Sequence, residues 1–202
     1  MISILRLKSG NIASVANMFK YLGNDVEIIS TKSELLKAKK IVMPGIGSFG
    51  ETMNYLKENN LIEILNELII KQEVPTLGIC LGMQIMFSSS EEGETYDGLS
   101  IFPDKLKKFD KSVSKVPHVG WNKLDILNFK EMFLNEINYF YFSHSYYLDN
   151  SKIENIISKS FNGINFVSSV RKKNVIGVQF HPEKSHKYGF HFLESFAKNF
   201  YV

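Results

Sequence analysis

Cysteine is nearly missing from this chain: a single thiol, Cys80, stands among 202 residues. One cysteine forms no internal disulfide, which fits a reducing compartment and excludes a disulfide-stapled scaffold. Long apolar runs are missing too. No stretch approaches the roughly 20 residues of a membrane-spanning helix, and the apolar run in Met1-Ile2-Ser3-Ile4-Leu5-Arg6 is too short for a secretory signal. The expectation is a cytoplasmic protein without a membrane role. Charge of one sign is barely in excess, with 24 Lys and Arg against 21 Asp and Glu. No basic block carries interleaved aromatics, so nucleic-acid binding has weak support. Linkers, internal repeats and low-complexity tracts are also lacking. At this length the expectation is one domain over residues 1–202 with a sizeable core.

What is present is a strand–helix alternation in the first half. Ile2 to Leu7 reads as a strand and Asn11 to Leu22 as a helix, with Ile12, Val15, Ala16, Phe19 and Leu22 on one face and Gly23 closing it. Asp25 to Ser30 is a second strand. Thr31-Lys32-Ser33-Glu34 is a capping-box pattern opening a short helix. Lys40 to Met43 is a third strand ending at Pro44. Residues 51–72 carry helical periodicity broken near Asn59-Asn60, and Thr76 to Ile79 is a fourth strand. The second half is richer in extended segments: 105–109, 122–127, 139–142, 156–161, 165–170 and 175–180. Tyr188 to Tyr201 closes the chain as a helix with Phe192, Phe196 and Phe200 four apart. The pattern predicts an α/β fold: an open, mostly parallel sheet with helices on both faces, plus an antiparallel ribbon region.

The lone thiol sits in Gly78-Ile79-Cys80-Leu81-Gly82-Met83-Gln84, between the fourth strand and a helical pattern running from Leu81 to Phe87. A lone cysteine is most often a small buried hydrophobe. A reactive residue at a strand-to-helix corner, with glycines two before and two after, is instead a nucleophile elbow in a thiol version. The helix N-terminus behind it favours thiolate over thiol.

Two further segments follow predicted strands. His181-Pro182-Glu183 comes after Val175 to Phe180. Proline stops the ladder pairing and pushes the residue before it to an extended conformation. Residues two apart in extended chain share a side, which predicts Glu183 beside the His181 imidazole as orienter and base. Read alone, the segment is an ordinary surface turn. Pro44-Gly45-Ile46-Gly47-Ser48-Phe49-Gly50 follows the third strand. Its glycines allow backbone N–H groups to point into one space, as an oxyanion requires. Gly47 and Leu81 are the candidate donors. No Gly-Lys-Ser/Thr follows, so a Walker loop is excluded. In an open parallel sheet, the carboxyl ends of strands share one edge, so the three segments are expected to converge there. His181, His186 and His191 are five apart and do not share a helix face, so no metal site is expected.

These three segments, in this order, resemble the class I (triad-type) glutamine amidotransferases, whose fold is flavodoxin-like. Gly10-Asn11-Ile12-Ala13-Ser14-Val15, Pro117-His118-Val119-Gly120-Trp121-Asn122, Tyr141-Phe142-Ser143-His144-Ser145-Tyr146 and His181-Pro182-Glu183-Lys184-Ser185 are similar to the branch of that family that serves imidazole glycerol phosphate synthase. The resemblance covers nearly the whole chain. It implies hydrolysis of L-glutamine by a Cys80, His181, Glu183 triad without a cofactor, with Gln84, Ser145 and Tyr146 holding substrate. It also implies a (βα)₈-barrel cyclase partner in histidine biosynthesis, facing Asn11, Trp121 and Lys184. Leu5-Arg6-Leu7-Lys8-Ser9 departs from the Asp-Tyr-Gly that members often carry before Gly-Asn. Two alternatives stay open: a paralogue supplying ammonia for amidation of a surface sugar, and a non-catalytic regulatory subunit of the same fold.

Overall fold

A computed structural model of the chain describes residues 1–92, 96–134, 137–149 and 156–199. Its first half runs β1 (Ile2–Leu5), α1 (Ile12–Tyr21), β2 (Val26–Ile29), α2 (Lys32–Leu35), β3 (Ile41–Gly45), α3 (Phe49–Glu58), α4 (Ile62–Asn66), β4 (Thr76–Cys80) and α5 (Leu81–Gln84). Strands then dominate: β5 (Phe87–Ser90), β6 (Tyr96–Asp97), β7 (Phe102–Lys108), β8 (His118–Ile126), β9 (Asn138–His144), β10 (Tyr146–Leu148), β11 (Ile156–Asn162), β12 (Ile164–Lys172) and β13 (Val175–Val178). The helix α6 (His186–Asn199) follows.

The sheet order begins β2-β1-β3-β4-β13, with every one of these pairings parallel. Beyond β13 the sheet turns antiparallel through β12 and β10 to β7. A ribbon branches from β12 through β11 and β8 to β9. This is the α/β architecture expected from the alternation.

Strand periodicity feeds two cores. Ile2, Ile4, Val42, Leu77, Ile79, Ile176 and Val178 pack with Val15 and Phe19 of α1 and Phe192 and Phe196 of α6. Leu5, Ile41, Met43 and Val175 point the other way, to Met53 and Leu56 of α3 and Leu65 of α4. Successive side chains of a strand face opposite sides, so one short strand lines both layers. The capping box at Thr31 forms with both its bonds present.

Several elements differ from expectation. The helix after Cys80 spans only Leu81–Gln84, and Phe87 opens β5. Phe87 is fully buried and stacks on Phe102 at 5.2 Å, so pairing with β7 overrides the helical pattern there. The third strand continues through Pro44 to Gly45. Ile41 donates toward the β4 side, to the Pro75 carbonyl, which places Pro44 on the alternate set facing β1. The register with β1 ends at Val42, so no ladder bond is lost to the missing N–H. The periodicity over 51–72 resolves into α3, α4 and a π-turn at Glu67–Lys71, broken where Asn60 takes a positive φ of 56°. The last helix begins at His186 rather than Tyr188, while Phe200 and Tyr201 lie outside the described residues.

Phe192 is the side chain on which α6 depends, fully buried and packed against Phe133, Phe140 and Phe180. Phe192→Ala should destabilise the chain by about 3–5 kcal/mol through lost burial and the cavity left behind. Urea unfolding of the variant checks this, with a shift in midpoint and an unchanged slope expected.

Candidate active site

β3, β4 and β13 are neighbours in the parallel sheet, and the three sequence segments leave their carboxyl ends side by side. The elbow is built by steric need. A Cβ at Gly78 would lie 2.6 Å from the Gly82 carbonyl oxygen, and one at Gly82 would collide with the Met43 carbonyl. Only glycine lets α5 lie this close on β3 and β4. The turn forces Cys80 to φ 53°, ψ −108°, a costly conformation for a side-chain-bearing residue that packing on all sides sustains. It lifts Sγ into a cavity of about 350 Å³.

That cavity is lined by Gly47, Cys80, Leu81, Gln84, Ser145, Tyr146, His181 and Lys184, all singled out in the sequence, together with Ile46, Glu92, Pro117, Ser143 and His144. Glu183 stands behind His181. Its Oε1 accepts from Nδ1 at 2.8 Å, and both side chains are buried. The contact arises differently from the extended chain expected. His181 is extended at φ −101°, ψ 93°, but Pro182–Lys184 form a 3₁₀ turn, which curls the glutamate back to the ring. Ser185 braces the turn, donating to the His181 carbonyl at 2.6 Å while its Oγ accepts from the Tyr141 N–H. His181 Nε2 makes no aligned hydrogen bond, yet lies close enough to Cys80 for the sulfur to act on it. Burial pulls the imidazole pKa down, but the Cys80 sulfur and the Glu183 carboxylate beside the ring outweigh it and raise it to about 10.

Gly47 takes φ 108°, a backbone region that disfavours any other residue. The N–H of Ile46 is held by the Ser9 carbonyl at 3.3 Å. The divergent Leu5 to Ser9 segment therefore packs directly against the glycine loop. Leu5 and Leu7 are buried, and Lys8 pairs with Glu51 of α3 on the surface.

The three residues assigned to a partner surface lie outside or at the mouth of the cavity. Asn11 occupies the N-cap of α1 without capping it. Trp121 is 46% exposed and stacks on His186 with ring centroids 5.3 Å apart and planes 2° from parallel. Lys184 is exposed, with Nζ 5.5 Å over the Tyr141 ring.

Two site residues escaped the sequence reading. Glu92, just past the end of β5, lines the cavity, and its Oε2 accepts from the Phe49 N–H at 2.8 Å. No spacing links it to the elbow. Gln179, 1% exposed, donates Nε2 to Cys80 Sγ at 3.6 Å. A glutamine inside the apolar run Val175 to Phe180 was the available signal, because a buried amide needs partners. Among the described residues no cluster of three or more His, Cys, Asp or Glu could hold a metal ion, and no helix is long and apolar enough to cross a membrane.

A thiol in a strained elbow, a buried imidazole–carboxylate pair and a glycine loop around one cavity are the parts that acyl transfer requires. The family model for class-I glutamine amidotransferases matches residues 6–200, and the chain belongs to that family. Among curated relatives, the imidazole glycerol phosphate synthase subunit HisH of Leptospira interrogans is 41% identical over 98% of this chain and 99% of its own. Subunit HisH 2 of Methanococcus maripaludis is 43% identical over 98% and 99%. Solved structures share the fold at lower identity. A glutamine amidotransferase superposes with a TM-score of 0.75 at 15% identity over 96% of both chains. PurLQS from Thermotoga maritima gives 0.73 at 15% identity, over 96% of this chain and 95% of its own.

The raised His181 pKa makes a pH prediction. The charge contributes stability that is fully present below about pH 6.5 and lost as pH rises through about 10. The ring nitrogen shifts of His181 should stay those of an imidazolium from pH 6 to 9. Cys80→Ala, which removes the leading partner that raises the ring's pKa, should bring the titration down toward neutral pH. A wild-type ring that titrates near pH 6.5 would contradict this electrostatic account.

Proposed function

We propose that the chain is the glutaminase subunit of an imidazole glycerol phosphate synthase, acting as one domain in the cytoplasm. The observation that carries this is Cys80, held at positive φ in the same cavity as the His181–Glu183 pair. The names of its relatives favour this over the sugar-amidation and non-catalytic alternatives.

L-Glutamine enters with its carboxamide at Cys80. Ser145 and Tyr146 hold its amino-acid end, with Glu92 as partner for the α-ammonium. Gln84 borders the substrate from the elbow helix. The sulfur anion attacks the carboxamide carbon, a C–S bond forms, and the carbonyl π pair moves onto oxygen. The N–H groups of Gly47 and Leu81 receive that oxyanion. Collapse breaks the C–N bond as His181 Nε2 passes its proton to the leaving nitrogen, and ammonia departs. Neutral His181 then takes a proton from water, and hydroxide adds to the thioester carbon. The C–S bond breaks, restoring the sulfur anion beside imidazolium, and the carboxylic acid loses its proton to solvent. Glu183 keeps the ring tautomer and steadies the imidazolium.

The ammonia passes to a cyclase subunit with a (βα)₈ barrel. Trp121 and Lys184, with Asn11 at the end of α1, form the docking face. An exposed Trp on a rigid strand is the type of side chain that dominates interface energetics.

Two measurements test this reading. Cys80→Ala should abolish glutamate release from glutamine, by at least about 10³-fold, while ammonia-dependent synthesis by the partner persists. His181→Ala should be nearly as damaging and Glu183→Gln less so, since the carboxylate only orients the ring. Glutaminase activity surviving in the Cys80 variant would sink the mechanism. For docking, Trp121→Ala should weaken association with the cyclase by about tenfold or more in calorimetry, and Lys184→Ala should reduce glutaminase activation. Unchanged affinity and activation in both variants would remove the interface.

A further inference from the structure

A row of polar side chains runs from β8 to the sulfur of Cys80, and the donor and the acceptor of each of its hydrogen bonds can be assigned. His144 Nδ1 lies 2.7 Å from the Tyr146 carbonyl oxygen. A carbonyl only accepts, so Nδ1 carries the proton. Burial keeps His144 neutral by lowering its pKa to about 3, so Nε2 is bare and accepts. His118 Nδ1, 3.0 Å away, is the donor to it. His118 is also neutral, lowered to about 4 mainly by burial and further by Lys115. Its own Nε2 accepts from Asn122 Nδ2 at 3.2 Å.

The same Tyr146 carbonyl receives Gln84 Nε2 at 3.4 Å, which sets the rotation of that amide. Gln84 Nε2 also donates to Gln179 Oε1 at 3.0 Å. Gln179 must therefore turn its oxygen toward Gln84 and its N–H group toward Cys80, 3.6 Å from Sγ. The flipped amide would set two NH₂ groups against each other and a carbonyl against the sulfur. Both glutamines are buried, at 5% and 1% exposure, and the bond between them is shielded from water.

We infer that Gln179 is a further catalytic residue of the glutaminase reaction, an N–H donor to the sulfur anion whose amide rotation is fixed through Gln84 and the Tyr146 carbonyl. The inference rests on the glutaminase reading above. A hydrogen bond to an ionised acceptor is stronger than one to a neutral acceptor, so the donor favours thiolate over thiol. Nucleophilicity falls only about half as steeply as the thiol pKa, so the larger thiolate fraction gives the net gain. As the C–S bond forms and the charge leaves sulfur, the bond to Gln179 weakens and does not hold the intermediate back.

Gln179→Met and Gln179→Leu remove the donor without adding charge. Because Cys80 is the only cysteine, iodoacetamide alkylation followed by intact mass reports on it alone. In both variants the midpoint of the pH–rate profile should rise by about one unit, slowing alkylation at pH 7 about threefold, since an about tenfold smaller thiolate fraction is partly offset by greater nucleophilicity. kcat for glutamine hydrolysis should fall by a similar factor with KM within about twofold. In the unaltered chain, the side-chain amide protons of Gln179 should shift along the same pH profile, a measurement that does not depend on any variant folding. An unmoved midpoint in a folded variant, a change confined to KM, or wild-type amide protons silent through the titration would each overturn the assignment. A wild-type chain that alkylates normally but never releases glutamate from glutamine, even with its cyclase, would instead defeat the glutaminase reading and leave the role of Gln179 toward sulfur to the alkylation profile.

Discussion

The close approach of α5 to β3 and β4 governs the rest of this molecule. Gly78 and Gly82 have no room for a Cβ, and a Cβ at Gly45 would meet Leu81 at 3.0 Å. Backbone rests on backbone across the junction, so the chain between them has one way to turn. That turn puts Cys80 at positive φ and aims its sulfur at the edge where β3 and β13 also end. The strain is sustained because Leu81, Met83 and Ile85 are buried around it. Loss of this packing would release the elbow and scatter the site.

The histidines show how one physical effect can have opposite outcomes. His118, His144 and His181 are all buried, and burial alone disfavours imidazolium in each. His181 faces the Cys80 sulfur and the Glu183 carboxylate, which more than offset the desolvation. His118 and His144 face each other, a carbonyl and an amide, and remain neutral. One ring is thus placed to carry the proton that the proposed reaction needs, while the other two are held as neutral donor–acceptor links. Pairs pushed apart in this way identify acid–base roles from environment rather than residue type.

Strand β8 joins the site to the proposed docking face. Its side chains alternate, so Trp121 stands outward against His186 while His118 and Asn122 turn toward the polar row. The segment ending at Ser9 holds the N–H of Ile46 at the glycine loop. Two separate parts of the surface therefore connect with the cavity through a few bonds each, which is the physical basis a partner would need to bias the arrangement of the site.

Much of this was legible in the residues alone. The period of the apolar positions located the parallel strands and α1, Thr31 and Glu34 announced their capping box, and the glycine spacing around Cys80 marked the elbow. These features are local: a cap, a turn or an amphipathic face is set by side chains a few positions apart. The remainder needed the folded chain. Phe87 left its helical pattern because a strand partner fifteen residues onward buries it. Glu183 meets His181 through a 3₁₀ turn that Ser185 ties to β9. His118 reaches His144 because antiparallel register sets them opposite each other, and Gln179 reaches Cys80 because β13 lies beside β4. Register and strand order decide which distant residues share a face, and neither is written in any short stretch of sequence.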